Sequence, residues 1–332
     1  MTASSRFTLA HFSDLHMPTR GIFAPRHWTV KRSLGYINWQ TGRKRSFALR
    51  AVDLLVDDMR KRSPDHIAVT GDLVNFGLPS ELESAARWLE ALGPDDLVSV
   101  VPGNHDIYVP MRRDPGVARW IDYMRSDEYG STVPGADNAF PDAGSDVRGA
   151  FPYVRRFGKI ALIGVNSSLP MPPFIAAGEL GPAQMQRLET VLNATGRDGL
   201  IRVLMIHHPP LSSLASQRRG LRDVHALAEV LKRAGAELIL HGHNHTNTLT
   251  AADGPDRPIP IVGIAAGGMI KNRKRPEELG RYNLIEIIDA GSPSCQLKMT
   301  GYGLQTLNGP VVEVQRCDLT GADVNLGAIA GA

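Results

Sequence analysis

The sequence predicts an α/β fold with a largely central sheet, on three observations. Short runs rich in Val, Ile and Leu recur and end abruptly in polar clusters, amphipathic helical patterns lie between them, and past residue 258 the pattern turns to strands alone. In chain order, residues 7–12 lead to Ser13-Asp14-Leu15-His16, and residues 67–70 lead to Gly71-Asp72. Residues 97–101 lead to Pro102-Gly103-Asn104-His105-Asp106, residues 201–206 to His207-His208, and residues 238–240 to His241-Gly242-His243-Asn244-His245. Runs this apolar suit strands buried on both faces.

The intervening helices follow from periodicity. Residues 47–61 set Leu49, Val52, Leu55, Val56 and Met59 on one stripe. Residues 80–92 open on Ser80 with Glu83 three positions later, the pattern of a capping box. Residues 182–192 and 224–234 are further helices, and 259–264, 282–288, 296–302 and 311–314 are the late strands. No repeat or linker divides the chain. The expected organisation is a catalytic domain over 1–290, with insertions at 17–50 and 109–150, then a strand-rich extension and loose tail over 291–332. The 109–150 stretch, rich in Pro, Gly and Asp, reads as a surface insertion.

Composition narrows the class. With 42% hydrophobic and 21% charged residues over 332 positions, the chain can build a large core and is not disordered. Cys295 and Cys317 exclude a disulfide framework and fit reduced thiols better than one late bridge. The longest apolar stretch, residues 261–270, falls short of the roughly 20 residues a membrane span needs. The start carries no signal-peptide apolar region, so a cytoplasmic protein is expected. The net charge of +3 hides an asymmetry: residues 17–50 hold eight Lys or Arg and no acid, leaving about −5 for the remainder.

The polar clusters carry the chemistry. Each follows the carboxyl end of a strand, where open α/β sheets bind ligands. Together they supply Asp14, His16, Asp72, Asn104, His105, His207, His243 and His245, and they hold seven of the eleven histidines. Carboxylates, imidazoles and an amide without a thiolate suit two divalent ions such as Mn, Fe or Zn, with Asp72 the natural bridge. His243 and His245 converge on neighbouring metals only if the chain turns after Gly242. His11, His27, His66 and His225 read as structural or exposed, and His208 and His241 as either orienting or simply packed.

Asp-x-His, Gly-Asp, Gly-Asn-His-Asp, His and Gly-His-x-His, in this order over roughly residues 7–290, resemble the calcineurin-like metallophosphoesterase superfamily. The resemblance implies a four-layer αββα sandwich and a dinuclear metal centre. Asp14, His16, Asp72 and His245 would bind one ion, and Asp72, Asn104, His207 and His243 the other. His105 would be the histidine that faces phosphate, with Asp106 its orienting partner. Thr70-Gly71-Asp72-Leu73-Val74-Asn75 and Pro102-Gly103-Asn104-His105-Asp106 are most similar to class III cyclic nucleotide phosphodiesterases. The implied reaction is hydrolysis of a small phosphodiester by a metal-bridging hydroxide. A peripheral membrane hydrolase of a lipid-linked phosphoester or pyrophosphate, similar to UDP-diacylglucosamine pyrophosphatases, is the alternative, and a metal-binding scaffold a third reading. A homodimer through residues 290–320 is compatible with the resemblance, and no nucleic-acid partner is expected.

The 17–50 insertion leaves directly from the first motif and so begins beside the metals. Val30, Leu34 and Ile37 share one helical face, flanked by Trp28 and Trp39, with Lys31, Arg32 and the Arg43-Lys44-Arg45 triplet supplying charge. Such a segment caps the site over an anionic substrate, rests on an anionic membrane surface, or packs its stripe on the core.

Overall fold

The computed structural model describes residues 5–19, 24–41, 46–110, 114–136, 147–271, 278–307 and 309–320. The Arg43–Arg45 triplet and the last dozen residues lie outside them. The strands in order are β1 (Arg6–Phe12), β2 (His66–Val69), β3 (Val98–Val100), β4 (Tyr153–Phe157), β5 (Ile160–Gly164) and β6 (Ile201–Met205), then β7 (Leu238–His241), β8 (Thr248–Ala252), β9 (Ile259–Gly263), β10 (Arg281–Ile288), β11 (Gln296–Leu304) and β12 (Val311–Asp318). Between them run α1 (Val30–Thr41), α2 (Leu49–Lys61), α3 (Pro79–Leu92), α4 (Pro182–Arg197) and α5 (Val224–Ala234).

The expected central sheet resolves into two mixed sheets of six strands, ordered β12-β11-β10-β1-β2-β3 and β4-β5-β6-β7-β9-β8. β1, β2 and β3 run parallel in the first, and β5, β6, β7 and β9 in the second. Alternation shows how they pack. Leu162, Val203, Met205, Leu238 and Leu240 belong to the same buried cluster as Leu9, Phe12 and Val69 of the first sheet. Ile163, Leu204 and Ile239 join Leu188, Leu192, Leu227 and Leu231 of α4 and α5 on the other side. Period-2 side-chain alternation thus serves a sheet–sheet interior and a sheet–helix exterior at once, which is why these strands read as unbroken apolar runs.

Strand register levels the loops that follow. Phe12 pairs with Val69, Val69 with Val100, and Met205 with Leu240. Asp14, Asp72 and Asn104 therefore leave one sheet, and His207 and His243 the other, at matched heights.

Three expectations change. The helix expected to open on a Ser80–Glu83 box begins at Pro79 instead, and Glu81 does the capping: its Oε2 accepts Leu78 N and Phe76 N, both at 3.0 Å. The 109–150 stretch is not only surface. Within it the 3-10 helix Gly116–Met124 buries Trp120 completely, and the indole Nε1 donates to Leu82 O at 3.0 Å. Among the described residues of the stretch, that helix is an apolar plug that the Pro, Gly and Asp content did not reveal. Finally, β4, β5 and β8 escape the sequence pattern because their ends carry no metal-type cluster.

Candidate metal centre

Two sets of ligating atoms converge where the strand ends of the two sheets meet. Asp14, His16, Asp72 and His245 offer atoms all within 4.8 Å of one another, and so do Asp72, His207 and His243. Asp72 belongs to both. Its Oδ1 accepts His105 N at 2.7 Å, while Oδ2 lies 3.7 Å from His16 Nε2 and 3.5 Å from His207 Nε2. Asn104 Oδ1 joins the second set, 2.8 Å from His243 Nδ1 and 3.2 Å from His207 Nε2.

The turn that sequence spacing demanded is present five times over. Asp14, His16, Asp72, His243 and His245 all have positive φ, between 45° and 68°. A left-handed residue after a strand end lets side chains two positions apart point to one centre. It costs about 1–2 kcal/mol per non-glycine residue, so surrounding bonds must hold it. They do: Asp14 N donates to Gly71 O at 2.9 Å, His16 N to Asp72 O at 3.0 Å, and His243 N to Asp14 Oδ2 at 3.0 Å. Gly103 and Gly242 make the approach possible. A Cβ on Gly103 would lie 2.2 Å from Asp72 Oδ1, and one on Gly242 would lie 2.0 Å from Ser13 Oγ.

Asp106 takes a role other than the expected one. Its carboxylate accepts Asp72 N and Gly103 N at 2.8 Å, Leu73 N at 2.9 Å and Val74 N at 3.2 Å, so both oxygens are spent on backbone. It brackets the Gly71-Asp72 turn against the Gly103 turn rather than orienting His105. The His105 ring is oriented by Asn75, whose carbonyl oxygen lies 2.6 Å from Nδ1. Burial, with the Asp72 charge beside it, raises the Asp106 carboxyl to about 8, against the pull of its N–H donors.

The donor set fits a cation pair. His16 Nδ1 lies 3.2 Å from Val74 O and His207 Nδ1 lies 2.7 Å from Thr70 O, so the neutral form of each ring keeps its proton on Nδ1 and turns the Nε2 lone pair inward, as a metal ligand must. His16 Nε2 and His245 Nε2 then face each other at 3.1 Å. Asp14 Oδ1 and His243 Nε2 are buried without a hydrogen-bond partner. The Asp14 oxygen has the imidazole Nε2 of His245 beside it, at 3.1 Å, and a cation at the centre would satisfy both. Burial works to raise Asp14 and Asp72, but the histidines around them outweigh it and hold both carboxyls below the usual range. Burial works to lower His207, and the Asp72 charge reverses this, pushing it up to about 9.

A model of the calcineurin-like phosphoesterase family matches residues 7–247. The chain belongs to this family. Calcineurin-like phosphoesterases are hydrolases of phosphoesters that use two divalent metal ions, and the paired ligand sets of this phosphoesterase are a site for them. Among solved structures, a dimetal phosphatase from Danio rerio is similar at 13% identity and a TM-score of 0.53, over 95% of this chain and 98% of that one. A purple acid phosphatase from yellow lupin is similar at 12% identity and a TM-score of 0.52, over 93% of this chain and 53% of that one. At these identities the likeness is one of fold. No curated protein sequence matches the chain. No helix among the described residues is long and apolar enough to cross a membrane.

The phosphoesterase's insertion forms one wall of a cleft of about 600 Å³ that opens at Asn104 and His105. Its expected apolar stripe does not pack on the core, since Val30 is 72% and Ile37 60% exposed. The face turned to the body carries Arg32, Tyr36 and Trp39 instead. The Arg32 guanidinium donates to Phe76 O at 3.0 Å, Gly77 O at 2.6 Å and His27 O at 3.2 Å, and the two aromatic rings pack on Phe76. A buried arginine serving three carbonyls is invisible to a hydrophobic-stripe reading. Sequence reasoning also missed Tyr108, which stacks on His105 at 5.4 Å, and Arg219, whose Nη2 donates to His243 O at 3.1 Å. Their only signals were Tyr108's spacing of three from His105 and the Arg218-Arg219-Gly220 loop.

Proposed function

We propose that this phosphoesterase hydrolyses small phosphodiesters, cyclic nucleotides or similar diesters. One divalent ion would be held by Asp14, His16, Asp72 and His245, and the other by Asp72, Asn104, His207 and His243. Mn, Fe and Zn all suit these ligands. When bound, the pair activates water and neutralises charge developing on the phosphoryl group.

The observation that carries the diester reading is the cleft that continues past the metal centre along α1, with His105 set on its wall to protonate a leaving group. The His105 Nδ1 is tied to Asn75 O at 2.6 Å, so the proton it exchanges is at Nε2, and the residue lines the cleft beside Asn104. The alkoxide leaving a diester needs a proton as the P–O bond breaks, and an imidazole on the cleft wall supplies it from Nε2. The cleft also runs on along α1 instead of closing over one phosphate, which gives the second ester substituent room. Asp72 Oδ1 holds the His105 backbone N–H, so the proton donor and the shared carboxylate move as one unit.

The test pairs a variant with two leaving groups. His105→Ala retains both metals and loses roughly 10²–10⁴-fold on a diester with an alkyl leaving group, with a much smaller loss on a nitrophenyl diester. Equal losses on both would reduce His105 to a positioning role. Metal-loaded protein that cleaves monoesters and no diester would end the diester reading.

A further inference from the structure

We propose that the cleft takes amphiphilic phosphoesters: the phosphate lies between Lys31 and Arg219 at the metal centre, and an apolar substituent runs along Leu34, Ile37 and Phe174. The proposal rests on the phosphoesterase reading of the centre and adds the substrate's other half.

The charge comes first. Lys31, Leu34, Asn38 and Thr41 recur along the helical face of α1 that lines the cleft, and Arg219 stands among the lining residues with the 173–176 segment. Lys31 Nζ donates to Tyr108 O at 2.9 Å and sits 4.2 Å from the centre of the Tyr108 ring, which itself stacks on His105. Arg219 is tied to the His243 carbonyl. Two cations are thus fixed beside the metal ligands, and no carboxylate is among the described lining residues. That is a site for an anion.

The apolar half follows from what folding leaves uncovered. Among the described residues five large hydrophobic side chains are exposed: Trp28, Val30, Ile37, Phe174 and Val314. Four of these belong to α1, its approach or the 173–176 segment, and Ile37 and Phe174 line the cleft itself. Phe174 is 80% exposed and has a φ of 66°, a backbone setting that bulky residues avoid. The segment carrying it is anchored: Ala176 N donates to Arg218 O at 2.8 Å, and the carbonyl of Ala176 lies 3.2 Å from His208 Nε2. His208 therefore links this wall to His207 and His243, whose rings it contacts. An exposed aromatic on a fixed wall, opposite exposed aliphatics on a helix that buries an arginine instead, suits a ligand that brings its own apolar surface.

Calorimetric titration of the metal-loaded protein with n-alkylphosphonates, methyl to octyl, tests this without turnover. The expected Kd falls about three- to four-fold per methylene over the first members, with an increasingly negative heat-capacity change. Ile37→Asp and Phe174→Ser flatten the series, each exposed enough to be changed without unfolding the chain, whereas Val314→Asp on β12 leaves it intact. A flat series in the unaltered protein overturns the proposal, as does a gradient that Ile37→Asp and Phe174→Ser both leave unchanged. Hydrolysis of methyl nitrophenyl phosphate, measured alongside, scores the diesterase reading separately. A gradient without turnover would sink that reading and keep the amphiphile site, and turnover with a flat series would do the reverse.

Discussion

The candidate metal centre and helix α1 face one cleft, yet the side chains that line it are secured in opposite ways. At the centre Asp14, His16, Asp72 and His243 are buried, set by left-handed turns and gripped by backbone bonds from neighbouring strand ends, and buried His207 is held by Thr70 O. On α1 the cleft-facing side is open, and the helix is held from behind by Arg32, Tyr36 and Trp39. The difference separates reactivity from recognition. Groups that bind ions need fixed geometry, and the sheets provide it. Groups that select a substrate need only one rigid helix, whose outer face can vary without disturbing what anchors it.

The sharpest way to break the comparison is at Asp72, where the two ligand sets join. Asp72→Ala should lower the metal content below two ions per chain as well as the rate, because one oxygen serves both sets and the other holds His105 N. The loss should exceed the ~10–100-fold typical of a residue that merely supports a ligand. Elemental analysis beside turnover reads both quantities. A variant with two ions and near-normal turnover would show that the carboxylate is not shared.

How legible each region was follows from the same difference. Every candidate ligand could be named because strand ends force chemistry into short, ordered motifs, and the structure brings Asp14, His16, Asp72, Asn104, His207, His243 and His245 together. What could not be read was where a neighbouring residue spends its hydrogen bonds. Asp106 next to His105 reads as its partner, yet four N–H groups brought in by two turns claim it. Helix α1 shows the complementary failure. Val30, Leu34 and Ile37 have the spacing of a core stripe, but burial is decided by what lies opposite. The carbonyls of Phe76 and Gly77 lie opposite Arg32. Periodicity locates a helix and a face; it does not say which face the protein covers.

A smaller effect tests the α1 side. Arg32→Met keeps the aliphatic stem and removes the donors to Phe76 O, Gly77 O and His27 O, a cost of about 2–5 kcal/mol for leaving buried acceptors unpaired. If α1 only recognises substrate, both metals remain and KM rises more than kcat falls. Hydrogen exchange should show α1 amides opening while those of β1 and β2 stay protected. Loss of metals in Arg32→Met would mean that α1 also shapes the centre, and the separation would fail.

The smallest effect concerns acid, to which the two regions should respond unequally. His66 opens β2, the strand that delivers Asp72, while α1 contains no histidine. Burial, then the nearby Arg155 charge, lowers His66 from an ordinary value of 6.5 to about 3, and its ring is held between Asp96 O at 3.1 Å and Ser99 Oγ at 2.8 Å. The fold therefore favours the neutral ring. Its contribution is complete above pH 6.5 and is lost progressively as pH falls toward about 3, because the unfolded chain takes up the proton first. Between about pH 7 and about pH 5 this single group should cost the native chain about 2 kcal/mol. His66→Asn, whose side-chain amide can take the place of Nδ1 as donor to Asp96 O, should be spared that share of the loss in urea unfolding of the metal-free protein. The other buried histidines titrate in both chains and cancel in the difference. Because the effect runs through β2, exchange protection in α1 should be the same in the two proteins wherever α1 opens locally. An identical loss of stability in native and variant chains would remove His66 from the account and leave acid sensitivity to the histidines of the centre itself.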